Sequence, residues 1–120
     1  MKLYESSEDY LEAILILSKQ LEEVHAVDVA RHLNFSKASV SVALHKLEEG
    51  GYLSFNERGG LLLTEKGLEI ANNIYERHVV LSELFMSMGV SKEQALEDAC
   101  KVEHDISEET FEAIKKAFRN

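Results

Sequence analysis

Between Asp28 and Glu48 the chain carries no acidic residue, although its net charge is −9 over 120 residues. Within that gap lie Arg31, Lys37 and Lys46, the imidazoles of His32 and His45, and a run of small or hydroxyl-bearing side chains. The gap sits inside VDVARHLNFSKASVSVALHKLEEGGYLSFNERGGLLL, residues 27–63, a stretch that fixes an element order. Val29, Ala30 and Leu33 recur at helical spacing, and Asn34-Phe35-Ser36 breaks the pattern. Ser36 suits an N-cap, Val40, Ala43, Leu44 and Leu47 form the apolar stripe of a second helix, and Gly50-Gly51 stops it. Two apolar runs around Asn56-Glu57-Arg58-Gly59-Gly60 predict a β-hairpin with a mobile tip. Helix, tight turn, helix, hairpin is the order of a winged helix-turn-helix.

The charge gap gives that order a use. A helix that reads DNA brings its first turn close to base edges and phosphates, so carboxylates are excluded there and small donors are favoured. Ser36, Lys37, Ala38, Ser39 and Val42 are expected to form the base-facing turn, with Ser41 and Lys46 on the same surface. Val42 has no hydrogen-bonding end, so its contact would be apolar, for instance with a thymine methyl. Arg58 at the hairpin tip is expected to reach phosphate or the minor groove. The alternative is an ordinary helix pair with a neutral face, against which the following hairpin weighs. A nonspecific DNA binder would be basic overall. The acidity elsewhere implies either a cation that offsets it or a device that limits nonspecific binding.

The rest of the chain is helical in pattern, with no proline and 6 glycines. A first helix is expected from about Ser6 to Leu21, capped by Ser6 or Ser7, with Tyr10, Ile14 and Leu17 on one face and Leu11 and Leu15 on another. Asp9 and Glu12 project from one side of it and, taken alone, are solvated first-turn acids. Residues 21–26 connect it to the helix near Val27, a poor N-cap. Thr64 opens the longest helix, which Gly89 ends and whose second half is apolar on more than one face. Leu81, Leu84 and Phe85, with Leu96 of the next helix, are expected to bury that excess in a dimer interface. Ser91 and Ser107 cap a fifth and a sixth helix. The fold class is mainly α: a winged helix-turn-helix over 1–63, then a helical dimerisation and metal-binding domain over 64–120. With no run of about 18 apolar residues and no signal-peptide pattern, a soluble cytoplasmic protein with no membrane partner is expected.

Cys100, Glu103 and His104 follow i, i+3, i+4 spacing, which places a thiol, a carboxylate and an imidazole on one helical face. The lone Cys100 is a buried thiol, a reactive thiol or a metal ligand. The bland alternative is a buried Cys beside an exposed Glu-His pair. His78 lies beside the apolar run Val79-Val80-Leu81, where a single histidine is more often a satisfied core residue. Together with Asp9 and Glu12, these side chains suit a divalent transition ion. The thiolate favours Fe(II), Co(II) or Zn(II) over Mn(II), while the oxygen and nitrogen donors stay compatible with Mn(II). No Ser-His-Asp order, phosphate-cradling glycine loop or closed Cys-rich zinc motif is present, so an enzyme is not expected.

At SSEDYLEAI, VDVARHLNFSKASVSVALHKLEEGGYL, GLLLTEKG, the RH of YERHVVL, and ACKVEHDIS, the sequence resembles the metal-dependent repressors of the diphtheria toxin repressor and manganese transport regulator type. The resemblance covers nearly the whole chain and is to a short form without the C-terminal SH3-like domain. It implies that Asp9, Glu12, His78, Cys100, Glu103 and His104 are metal ligands. It also implies a homodimer that binds a palindromic operator on double-stranded DNA when Fe(II) or Mn(II) acts as corepressor. Asp9 and Glu12 are similar to the manganese regulators, whereas Cys100 looks like the iron regulators. Ser82 stands where a second-site carboxylate is often found. A cation held from both halves would fix two reading heads about one helical repeat apart and lower the entropic cost of binding both half-sites. Two other classes fit the residues less fully: a winged-helix regulator that responds to a small ligand or to the redox state of Cys100, and a metal-binding interaction module.

Overall fold

The computed structural model describes residues 5–119, which form two compact units that meet in sequence between Asn72 and Asn73. In the first, α1 (Glu5–Ser18), α2 (Ala26–Leu33) and α3 (Lys37–Glu49) precede strands β1 (Leu53–Phe55) and β2 (Leu61–Leu63) and the opening of α4 (Glu65–Ser87). The core is made where α1 packs on α2, α3 and β2, with Leu11, Ile14, Val29, Val40, Leu44 and Leu53 almost fully buried. Each such aliphatic side chain contributes about 1.5–3 kcal/mol of burial free energy.

The local chemistry explains the boundaries. α1 stops at Ser18 rather than at Leu21, because the Ser18 hydroxyl donates to the Leu15 carbonyl and the next amides, Lys19 and Gln20, turn back to Ile16 and Leu17. Ser6 and Ser7, expected as caps, lie within its first turn. α2 begins earlier than Val27, and its N-cap is His25, whose amide donates to the Asp28 carboxylate at 2.9 Å. Asn34 ends α2 in the left-handed region at φ 59°, and the Phe35 amide closes on the Ala30 carbonyl. Ser36 then caps α3 by accepting the Ser39 amide at 3.2 Å. Gly51, at φ 83°, turns the chain into the hairpin, which pairs Leu53 with Leu63 and Phe55 with Leu61 in antiparallel register. At the hairpin tip the Asn56 side chain accepts amides from Arg58 at 2.9 Å and Gly60 at 2.8 Å.

In the second unit the remainder of α4 is followed by α5 (Lys92–Val102) and α6 (Glu108–Arg119). Gly89 at φ 97° ends α4, with the Val90 amide reaching the Phe85 carbonyl. Ser91 and Ser107 accept the amides of Gln94 and Thr110 as N-caps. Phe111 is fully buried. Of the residues expected at a dimer interface, Leu81 is 1% exposed within the single chain, Leu84 and Phe85 are half-buried, and Leu96 is exposed. No helix among the described residues is long and apolar enough to cross a membrane.

Candidate metal centre and DNA-reading surface

α3 is two-sided because its apolar residues follow one stripe. Val40, Leu44 and Leu47 face the core, while Ser36, Lys37, Ala38, Ser39, Ser41, Val42 and Lys46 are all exposed. Val42 is 57% exposed, so its apolar side chain is on the surface that α3 turns away from the core. His45 stacks on Phe55 of β1, ring centroids 5.1 Å apart, and so joins α3 to the hairpin. Phe35, in the turn between α2 and α3, is 44% exposed and meets Tyr10 edge-on. Arg58 stands at the wing tip as expected, but its Nε and one terminal nitrogen both lie 3.1 Å from Oε2 of Glu23. Arg58 holds the Glu23 carboxyl below its usual range.

On α1, Asp9 is half-buried, and Glu12 is only 8% exposed. Glu12 is therefore not the solvated first-turn acid that its position in sequence suggests.

In the second unit Glu103 is the centre. α5 ends at Val102, short of the 91–106 span that the sequence pattern suggests, and Glu103 is its C-cap with helical angles, so its side chain keeps the face of Cys100 one turn earlier. A Glu103 carboxylate oxygen lies within 4.8 Å of Cys100 Sγ, and Cys100 is exposed rather than packed in a core. His104 lies just beyond the helix, with its side chain 2% exposed. His78 of α4 places Nδ1 3.0 Å from Glu103 Oε2, and His104 places Nε2 3.4 Å from Oε1. Glu103 is fully buried, yet its Oε1 accepts no hydrogen bond among the described residues. A buried carboxylate is costly unless a cation or strong donors compensate it. Carboxylate, imidazole and thiol within this reach are the donors a divalent transition ion takes, so the residues fit such an ion.

Arg77 holds this corner and was not singled out by chemistry in the sequence. Its guanidinium donates to the carbonyls of Glu103 at 3.0 Å and Ile106 at 2.7 Å, and to the Glu108 carboxylate at 2.9 Å. Those carbonyls would otherwise be left without partners where α5 ends. The Arg77 hydrogen bond keeps the Glu108 carboxyl below its usual range. The signals in the sequence are that Arg77 is a charged residue beside an apolar run and that it forms, with His78, the RH pair of the family resemblance.

An exposed, serine-capped α3 with a hairpin after it, followed in one chain by a buried carboxylate near two imidazoles, is the arrangement of a winged helix-turn-helix and a helical unit with candidate metal donors. Two family models match in tandem: the iron dependent repressor N-terminal DNA binding domain over residues 2–61, and the iron dependent repressor metal binding and dimerisation domain over residues 64–120. The chain is 34% identical over 113 residues to the HTH-type transcriptional regulator MJ0568 of Methanocaldococcus jannaschii, covering 92% of this chain and 90% of that one. It is 34% identical over 108 residues to the transcriptional regulator MntR of Escherichia coli O157:H7, covering 90% and 70%. Among solved structures, the manganese regulator SloR superposes with a TM-score of 0.84 at 27% identity, covering 94% of this chain and 53% of that one. IdeR of T. acidophilum does so with a TM-score of 0.77 at 28% identity, covering 100% and 56%. The chain thus spans about half the length of those two solved chains. It belongs to the iron-dependent repressor family of metal-dependent, DNA-binding transcriptional regulators, which are not enzymes.

Proposed function

We propose that this protein is a cytoplasmic repressor of metal-ion homeostasis, acting as a homodimer on a palindromic operator when Fe(II) or Mn(II) is bound. The observation that carries the metal half is the buried Glu103 carboxylate, with one oxygen that has no hydrogen bond among the described residues and two imidazoles within 3.0 and 3.4 Å. The ligand set is Asp9 and Glu12 with His78, Cys100, Glu103 and His104. When bound, a divalent cation supplies the positive charge and the fixed coordination geometry that these donors need in order to act together. The family models divide the set, with Asp9 and Glu12 in the DNA-binding segment and the others in the dimerisation segment. Ligation from both segments would restrict where each reading helix stands, which favours simultaneous binding of two half-sites. A coupling of about 1–3 kcal/mol is enough for such a switch.

On the DNA side, Ser36, Lys37, Ala38, Ser39, Ser41, Val42 and Lys46 are the reading surface, and Arg58 is a phosphate or minor-groove contact. Lys37→Ala combined with Arg58→Ala should weaken binding to operator and random duplex alike by tenfold or more, and lower the salt slope by about 0.9 for each phosphate that is no longer neutralised. Fluorescence anisotropy over a salt series checks this, and an unchanged slope removes both residues from the interface.

Cys100 decides the metal preference. A thiolate is a softer donor than a carboxylate and favours Fe(II), and also Zn(II) or Co(II), over Mn(II). Cys100→Glu should therefore shift the ratio of Mn(II) to Fe(II) activation constants towards Mn(II), by roughly tenfold. The measurement is anaerobic operator binding with each metal. An unmoved ratio means that Cys100 is not a ligand, leaving the site to Glu103, His104 and His78 in this half.

A further inference from the structure

We infer that Glu23 is a built-in competitor of DNA phosphate for the wing arginine, Arg58, and that it lowers affinity for DNA of any sequence. The inference rests on the wing being part of the DNA interface. Glu23 belongs to the connector between α1 and α2, 35 positions before Arg58 in sequence, yet two guanidinium nitrogens converge on its Oε2 at 3.1 Å. The carboxylate is placed by backbone, which distinguishes it from an ordinary surface pair. The neighbouring Val24 carbonyl accepts the Leu61 amide of β2 at 2.7 Å, so the connector is sewn to the hairpin one residue from Glu23.

The wing leaves room for this carboxylate. A Cβ on Gly60 would stand 2.7 Å from Glu23 Cδ and 2.6 Å from the Asn56 amide nitrogen, so the closure of Glu23 over the tip depends on glycine there. Asn56 in turn shapes the loop that carries Arg58. His25 approaches the other oxygen, with Nε2 3.2 Å from Oε1. The Arg58 side chain remains 70% exposed, within reach of a phosphate that displaces the carboxylate.

Charge sets the consequence. Lys and Arg contacts to phosphate supply sequence-independent affinity through counter-ion release. A carboxylate on Arg58 cancels part of that contribution and repels phosphate over about a Debye length. Base contacts from α3 are untouched, so discrimination between operator and bulk DNA is kept while overall stickiness falls. This is one specific use for the acidity of a chain with net charge −9.

The test uses Glu23→Gln, which keeps shape and an acceptor but removes the charge, in the full chain loaded with Mn(II). Affinity for operator and for random duplex should both rise, by roughly threefold to tenfold near 0.1 M salt, and the slope should steepen by up to about 0.9 per protomer. Adding Arg58→Ala should erase the gain. No change or weaker binding in Glu23→Gln, or a gain that survives Arg58→Ala, overturns the inference. Arg58→Ala that is silent in both backgrounds instead overturns the wing contact itself. Arg58→Ala that weakens native binding while Glu23→Gln does nothing overturns the competition alone.

Discussion

Glu103→Gln should leave the metal-free protein about as stable as the native chain and abolish its stabilisation by metal. The amide can keep the hydrogen bond that joins Glu103 Oε2 and His78 Nδ1 at 3.0 Å, while an ionisable group is removed from a fully buried position. The metal-free change is therefore expected within about 1 kcal/mol. The metal response differs sharply. A ligand at about 100 times its Kd adds about 2.7 kcal/mol to the folded state, which for a domain of this size raises Tm on the order of 10 °C. The native protein should show that rise with Mn(II) or Fe(II), and Glu103→Gln should show almost none. Equal rises in thermal scans would mean that the metal binds elsewhere.

Gly67→Ala should be the most destabilising single change outside the large core side chains. In an ordinary helix interior the substitution is favourable by about 1 kcal/mol, because alanine is the better helix former. At Gly67 a Cβ would fall on the carbonyl oxygen of Tyr52 and lie 2.9 Å from its carbonyl carbon. That carbonyl also accepts the Thr64 amide at 3.1 Å, and Thr64 accepts the Gly67 amide at 3.2 Å while donating to Gly51. The first turn of α4 is thus locked to the residues leading into the hairpin, and neither side can give without breaking hydrogen bonds. Overpacking against backbone outweighs the propensity gain, for a net loss of about 3 kcal/mol. That corresponds to a fall in Tm of roughly 10 °C. A Tm at or above native for Gly67→Ala would show that the approach is not tight.

The elements that could be read from sequence are those whose determinants are local. Ser36, the Val40–Leu44–Leu47 stripe and Gly51 lie within one short segment, and α3 and the hairpin follow from them. The places that differ depend on partners far away in the chain. α5 ends early where Arg77, 26 positions before Glu103, takes its carbonyl, and nothing near Glu103 announces that. Glu12 is buried while its neighbours in pattern give it the look of a solvent-facing acid, because burial depends on packing that spacing does not encode. Leu81 reads as surplus apolar surface yet is covered within the chain. Glu23 has no signature at all, since its partner Arg58 is brought to it by the hairpin. By contrast, Cys100, Glu103 and His104 are legible as a group because their spacing is local and their donor types are chemically unusual together.

The central claim, that metal held by this ligand set licenses DNA binding, is tested most directly by titrating Mn(II) or Fe(II) anaerobically into protein and a palindromic duplex selected from random sequence. Coupling of about 1–3 kcal/mol predicts that metal tightens binding by roughly 5- to 150-fold. Chelator should reverse the effect, and Glu103→Gln should stay at the metal-free level throughout. Equal affinity in metal and in chelator, with the same duplex bound tightly in both, would contradict the account.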